Sequence, residues 1–349
     1  MVITNKFTPP IGGQVAGRRN SSIEMLRLLC MMGIIGHHII TNVLSLDFAN
    51  PYYTFIDTIF HVSVIVFVLI TGIYGIKPRI SKLLNLELEI IYYSILSAGI
   101  AYFALRSIGL KELLLSFFPV SRRVYWFMSA YLELYLASPF INFIIDRSSK
   151  RLFIYMTIVL GLSYCVLFNG DTYNAGTNLT GFAFLYCLGR LMSKYHLMVK
   201  LSIRSLLLFV LIYLLVVFFL SFSSKDGRFF GHFINVFYRY NGIGIIAFAV
   251  AIVTFFHHFV FYNDVINRIS RSVLAIYLIH ENHLISNFVY VKPTQYLLST
   301  TQLHSFWILV IEILCITVLC VLIDQLRIFF FKKINFQYLE TNVKRVFNL

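Results

Sequence analysis

Apolar runs of about 17 to 25 residues, the length an α-helix needs to cross a ~30 Å hydrocarbon layer, recur along the whole chain. They lie near 23–43, 54–74, 83–105, 124–145, 152–169, 178–194, 201–222, 241–261, 271–290 and 304–324. In lipid, every backbone N–H and C=O must be bonded within the protein, so such runs fold as helices or as closed barrels, and runs of this length are helical. Of the 349 residues, 59% are hydrophobic and only 13% are charged, against about 25% charge in ordinary soluble domains. The expected fold class is all-α: a polytopic transmembrane helical bundle of about ten spans.

The net charge of +14 excludes little by itself, but its placement argues for membrane topology over nucleic-acid binding. Arg18 and Arg19 precede the first run, and Lys77, Arg79 and Lys82 follow the second. Arg147, Lys150 and Arg151 follow the fourth, Arg190 to Arg204 surround the sixth junction, and Arg268 and Arg271 follow the eighth. These are alternate junctions, so positive-inside bias puts both termini in the cytoplasm. The connection from Arg106 to Arg123 should then be external, yet it is basic and carries an amphipathic LKELLLSFF core; an interfacial segment and a solvated loop both fit. Residues 1–20 read as a flexible cytoplasmic tail, 21–325 as the membrane domain and 326–349 as a basic cytoplasmic tail. The five cysteines show no CxxC or metal-type spacing, so neither a disulfide framework nor a metal site is expected.

Within the first run, SSIEMLRLLCMMGIIGHHII, ionisable groups lie where lipid would be. Arg27 and His38 are eleven residues apart, which at about 100° and 1.5 Å per residue places them within ~20° of azimuth and ~16 Å of each other along the axis. Glu24 joins that face by its i, i+3 spacing to Arg27, whereas His37 is turned away from it. A polar stripe on an apolar helix points to a functional cleft. The ordinary alternatives are a snorkelling pair at the helix end for Glu24 and Arg27 and a hydrogen-bonded core imidazole for His38. His37 is expected to matter less than His38.

The R-x10-H spacing of Arg27 and His38 resembles the first-helix signature of the acyltransferase-3 family of integral-membrane acyltransferases. Further similarities follow in order: VFVLITGIYG (66–75) with Thr71-Gly72 in place of Ser-Gly, Arg79-Ile-Ser-Lys82 as an RxxR-like element, YWFMSAYLELYLASPFI (125–141), CLGRLMSK (187–194) and LAIYLIHENHL (274–284). Together they cover residues from about 20 to 325. The resemblance implies transfer of an acyl group, commonly acetyl, from cytoplasmic acyl-CoA to an acceptor held at or beyond the membrane.

An acceptor hydroxyl needs a base, and histidine titrates near working pH, so His38 is the candidate catalytic group, as general base or as transient acyl carrier. Arg27 could orient or polarise the thioester, with Glu24 holding it. Arg79, Lys82 and Lys77 are candidates for the donor's phosphates, although a cytoplasmic basic cluster is also what topology alone produces. Glu133, Trp126 and His280 are candidates for acceptor binding; Glu133 could instead partner an arginine, and His280 could instead position His38 or be an interfacial histidine. His61, within the second run, is a lesser candidate. The resemblance implies acetyl-CoA as donor, with no permanently bound cofactor. It also implies a lipid-linked or polymeric glycan as acceptor, membrane lipids as surroundings and a bacterial plasma (inner) membrane location. No nucleic-acid partner is expected. A secondary transporter or lipid-linked oligosaccharide flippase is the rival reading, since intramembrane charge and ten spans suit it too; no evident repeat supports it. A membrane glycosyltransferase would call for acidic loop motifs, and Asp47, Asp57 and Asp171 form none.

Overall fold

The computed structural model describes residues 14–15, 18–44, 50–167, 177–223 and 233–331. Most of the two expected tails lies outside the described residues. Apart from a two-residue antiparallel pairing of Gln14–Val15 with Arg18–Arg19, the described chain is helical. Seven helical segments among the described residues are long and apolar enough to cross a membrane.

The first helix, α1 (Ser21–Ile39), is capped by the Asn20 side chain, which accepts from the Ser22 N–H, and runs on into a π-helical turn at Ile40–Leu44. α2 (Pro51–His61) starts with proline behind an Asn50 cap, the position where the missing N–H costs nothing. A single non-helical residue, Val62, joins it to α3 (Ser63–Tyr74). Then come α4 (Ile80–Gly99), the short α5 (Leu110–Leu115), α6 (Trp126–Arg147), α7 (Lys150–Leu162), α8 (Leu179–Lys194) and α9 (Ile203–Phe222). The last five are α10 (Ile243–His257), α11 (Asp264–Ile269), α12 (Val273–His280), α13 (Lys292–Thr300) and α14 (Ser305–Phe331).

Three of the ten expected spans differ from the rest. Those at 152–169 and 178–194 form the shorter helices α7 and α8. The run at 271–290 is not one helix: α12 stops at His280, and a turn precedes the π-helical segment Asn287–Val291 and α13. The cause is local. Asn282 is buried and its side-chain oxygen accepts from the Leu284 N–H, an Asx turn that competes with helix continuation. The connection after α4 holds α5, with Leu110, Leu114, Phe117 and Phe118 exposed and Arg122 paired with Glu112 at 3.0 Å.

α1 is central, packing against α2, α3, α10, α11, α12 and α14. Its first half (Ile23, Leu26, Cys30) belongs to the apolar cluster built on α3, α8 and α10. Its second half (Met31, Ile35, Ile39) belongs to the cluster built on α4, α12 and α14. The N-terminus is fixed by side chains: Ser22 Oγ donates to the Phe256 carbonyl at 2.8 Å, Ser21 Oγ donates to Asn267 at 3.0 Å, and the Ser21 N–H donates to the Phe261 carbonyl at 2.9 Å. At the far end of the chain α14 continues beyond residue 325, because Arg327 is tied into the bundle. Its guanidinium donates to Asp324 at 2.7 Å and to Glu89 of α4 at 2.9 Å, and Tyr93 donates to the same Asp324 oxygen. The helix surfaces facing away from the bundle, such as Leu207, Leu208, Leu211, Leu215 and Phe219 of α9, are exposed and apolar, as contact with hydrocarbon requires.

α3 and α8 approach closely, backbone to backbone, at Gly72 and Gly189. A Cβ on Gly72 would stand 2.4 Å from the Tyr186 carbonyl oxygen, and one on Gly189 would stand 2.5 Å from the Leu69 carbonyl oxygen. Both obstacles are backbone, so neither can swing aside. Small residues of this kind let membrane helices approach closely. Gly72→Ala is therefore expected to destabilise the purified protein by about 1–3 kcal/mol, the usual cost of overpacking, read as a lowered unfolding temperature in detergent, and Gly189→Ala is expected to do the same.

Candidate functional site

A cavity of about 920 Å³ runs beside α1, at the upper end of the ~300–1,000 Å³ typical of small-molecule sites. One end is charged, with Arg19, Glu24, Arg27, Lys77 and Lys82; the other holds His37, His38 and His61. The wall between them is aromatic, including Phe67, Trp126, Tyr131, Tyr240 and Tyr277. The eleven-residue spacing of Arg27 and His38 thus joins two ends of one cavity.

At the charged end Glu24 lies between two arginines, 3.3 Å from Arg27 and 3.8 Å from Arg19. With a side chain only 11% exposed, Glu24 fixes the Arg27 guanidinium toward the cavity. The segment carrying Lys77 is built by side chains of neighbouring helices. Gly75 adopts φ +70, which favours glycine. The Ile76 N–H donates to the Tyr186 hydroxyl at 3.0 Å, and Asn142 donates to the Ile76 carbonyl at 2.9 Å. The Tyr135 hydroxyl accepts from the Arg79 N–H at 2.8 Å and donates to the Arg79 carbonyl at 3.0 Å. Lys77 and Lys82 line the cavity, whereas the exposed Arg79 side chain does not.

At the other end the hydrogen bonds determine where protons sit. His280, fully buried at the end of α12, has its Nδ1 2.6 Å from the Ile276 carbonyl. A carbonyl only accepts, so Nδ1 carries the hydrogen and Nε2 is a lone pair. That Nε2 stands 3.2 Å from His38 Nδ1, and Glu281 Oε2 stands 2.8 Å from the same nitrogen. Both neighbours accept, so His38 Nδ1 holds its hydrogen; in the neutral ring Nε2 is then the lone pair, and it has no hydrogen-bond partner among the described residues. A carboxylate behind one imidazole nitrogen and a free lone pair on the other is the arrangement that activates a histidine as base or nucleophile. The corner holding these groups is braced from α6: the Tyr125 hydroxyl donates to the Leu278 carbonyl at 3.0 Å and accepts from Asn282 at 2.7 Å.

His37 also lines the cavity. Its azimuth does differ from that of Arg27, as helical geometry requires; His38 meets α12 while His37 meets α2. There His37 Nδ1 lies 2.7 Å from Asp57 Oδ1, and the Tyr238 hydroxyl donates to Asp57 Oδ2 at 2.7 Å. His61 stacks on both Tyr238 and Tyr240, with ring centroids 4.3 and 4.1 Å away.

Of the residues marked in the sequence, His38, Arg27, Glu24, Lys77, Lys82, Trp126 and His61 line the cavity, and His280 backs it. Arg79 and Glu133 stand outside the lining. Glu133 faces Arg123 at 3.7 Å with its side chain 43% exposed, the arginine partnership that was the alternative to sugar binding. Glu281, Asp57 and Tyr125 escaped sequence reasoning. Glu281 immediately follows the histidine of the IYLIH segment, and Asp57 is a carboxylate within an apolar run, so both carried the signal of an intramembrane charge.

His38, His280 and Glu281 present three ligand-type atoms within 4.8 Å of one another. Bonds of ~2.0–2.1 Å to a tetrahedral zinc would hold ligand atoms about 3.3 Å apart. The 2.8 Å between His38 Nδ1 and Glu281 Oε2 is shorter, and a hydrogen bond accounts for it as well as for the 3.2 Å contact of His38 with His280.

A family model described as an acyltransferase domain, acyltransferase-3, matches residues 20–324. No curated protein and no solved structure matches the chain. Because hydrogen bonds already satisfy the atoms of the histidine–glutamate cluster, treatment with EDTA is expected to leave both the unfolding temperature and the turnover of the purified protein unchanged. A loss reversed by adding back zinc would assign the cluster to a metal instead.

Proposed function

The chain belongs to the acyltransferase-3 family of membrane acyltransferases, and from that premise we propose that it is an O-acetyltransferase of a bacterial inner membrane. In this reading it moves acetyl from cytoplasmic acetyl-CoA to a sugar hydroxyl of a surface polysaccharide or of its lipid-linked precursor. The observation that carries this is the single cavity with cationic groups at one end and a carboxylate-backed imidazole lone pair at the other.

The division of labour follows from the chemistry. A donor with several phosphates is held by cations, and Lys77 and Lys82 supply two at the mouth of the cavity, with Arg79 beside them on the same segment. Arg27, oriented by Glu24 and ~16 Å along α1 from His38, is a further cation for the donor at that end and stands too far from His38 to offset charge on the reacting carbonyl; the donor's thioester arm continues past it along the aromatic wall. His38 presents Nε2 to the reacting carbonyl, with Glu281 stabilising the imidazolium that forms. Trp126 and neighbouring aromatic rings offer flat apolar surface to a sugar. In this reading the seven long segments are joined by α7, α8 and the α12–α13 pair as shorter crossings, ten in all, and the positive-inside bias of the loops puts both termini in the cytoplasm.

The test uses the purified full chain in proteoliposomes with radiolabelled acetyl-CoA and membrane glycolipid. His38→Ala is expected to lower transfer by about 10²–10⁴-fold, the span ascribed to positioned acid–base groups. Arg27→Ala and Lys82→Ala are each expected to raise KM for the donor with less effect on kcat. Equal transfer by wild type, His38→Ala and Arg27→Ala would refute the centre. Deleting the gene and measuring polysaccharide acetylation by NMR identifies the acceptor, and an unchanged acetyl content would favour the transporter class. Glu281→Gln keeps the shape of the side chain but removes the charge behind His38; transfer is expected to fall at least about tenfold, as for other groups that orient a catalytic histidine.

A further inference from the structure

The cavity contains two imidazoles that each have a private carboxylate. His38 is backed by Glu281 and His280, and on the adjacent residue His37 is backed by Asp57. Asp57 is 1% exposed, and its two oxygens are used, one by His37 and one by the Tyr238 hydroxyl. Since a carboxylate only accepts, His37 Nδ1 carries its hydrogen; in the neutral ring Nε2 is the lone pair, and it has no hydrogen-bond partner among the described residues. The two rings stand 5.3 Å apart, centroid to centroid, and both line the cavity. A general base that acts on a single hydroxyl needs one imidazole. A second buried histidine–carboxylate pair inside a membrane bundle is costly, and its placement beside the first is what a reaction in two steps requires.

Resting on the acyltransferase reading above, we propose that the transfer is a two-step reaction in which His38 carries the acyl group and His37, positioned by Asp57, is the base that deprotonates the acceptor hydroxyl. In the first step the Nε2 lone pair of His38 attacks the thioester carbonyl carbon, an N–C bond forms, the C–S bond breaks, and the donor leaves as its thiolate. The acyl-imidazolium keeps its Nδ1–H on Glu281, so its positive charge is offset where it forms. His38 then has no lone pair, so it cannot also act as base. In the second step the acceptor oxygen attacks the same carbonyl carbon and its proton passes to His37 Nε2, giving an imidazolium on Asp57. The N–C bond breaks and His38 returns neutral with Nδ1–H in place. The His37 proton is released to solvent and balances the thiolate of the first step. The ring separation leaves space for this, because attack needs the oxygen about 3–3.5 Å from carbon and the base about 2.6–3.2 Å from the oxygen.

The experiment separates the two steps with the purified full chain in proteoliposomes. Step one is read without acceptor, as exchange of label between acetyl-CoA and free CoA and as label retained on rapidly denatured protein. Complete transfer is read with membrane glycolipid. Wild type is expected to show exchange, labelled protein and transfer. His38→Gln is expected to lose all three. His37→Gln and Asp57→Asn are expected to keep exchange within about threefold while transfer falls by about 10²-fold or more; retained exchange shows that the variants fold. Transfer by His37→Gln within about threefold of wild type would overturn the proposal, and so would its losing exchange and transfer together. Transfer by wild type with neither exchange nor labelled protein would refute the covalent step and leave the acetyltransferase reading standing. A wild type that catalyses neither reaction would remove both.

Discussion

An ionisable side chain inside an apolar slab has to be answered by another group, and this constraint organises the molecule. Glu24 is answered by Arg27 and Arg19, His38 by Glu281 and His280, His37 by Asp57, and Arg327 by Asp324 and Glu89. Leaving one partner of a buried pair uncompensated costs about 3–5 kcal/mol, so the pairs that join different helices, His37 with Asp57, His38 with Glu281 and His280, and Arg327 with Glu89, also fix which helices meet. The two histidine pairings place α2 on one side of the C-terminal half of α1 and α12 on the other, around the histidine end of the cavity. The site and the packing therefore have one cause: polar groups that could not face lipid had to face each other.

The pairings also explain the precision of the site. His38 is held in one tautomer by a chain of acceptors that ends on a backbone carbonyl, and the corner carrying those acceptors is braced by Tyr125 from α6. At the opposite end, backbone groups of residues 76–79 are held by Tyr186, Asn142 and Tyr135. The segments that resemble family motifs thus serve in part as scaffolding. TGIYG and CLGR bring α3 and α8 into glycine contact, and the tyrosines of the α6 segment reach across to the loop and to α12.

The departures from the sequence reading have physical causes. The run 271–290 reads as one span by hydropathy, but Asn282 offers its side chain to the backbone and breaks it, leaving His280 and Glu281 at a helix end where both can turn toward His38. Glu133 shares α6 with Trp126, yet its side chain meets Arg123 outside the cavity. His37 is turned from the azimuth of Arg27, yet it lines the cavity together with His38 and meets Asp57 of α2. Arg327 reads as part of a tail because no sequence period links it to Glu89 across 238 residues.

By itself the sequence determined the all-helical membrane class, because lipid leaves the backbone few ways to satisfy its hydrogen bonds. It also determined the family resemblance and the alignment of Glu24, Arg27 and His38, because the pitch of a helix converts spacing into direction. Tertiary structure decided which partners the buried charges have, which nitrogen of His37, His38 and His280 holds a hydrogen against its acceptor, and that Asp57 and Glu281 stand behind the two cavity imidazoles. Those are relations between helices, and helical pitch carries no information about the neighbour a face will meet.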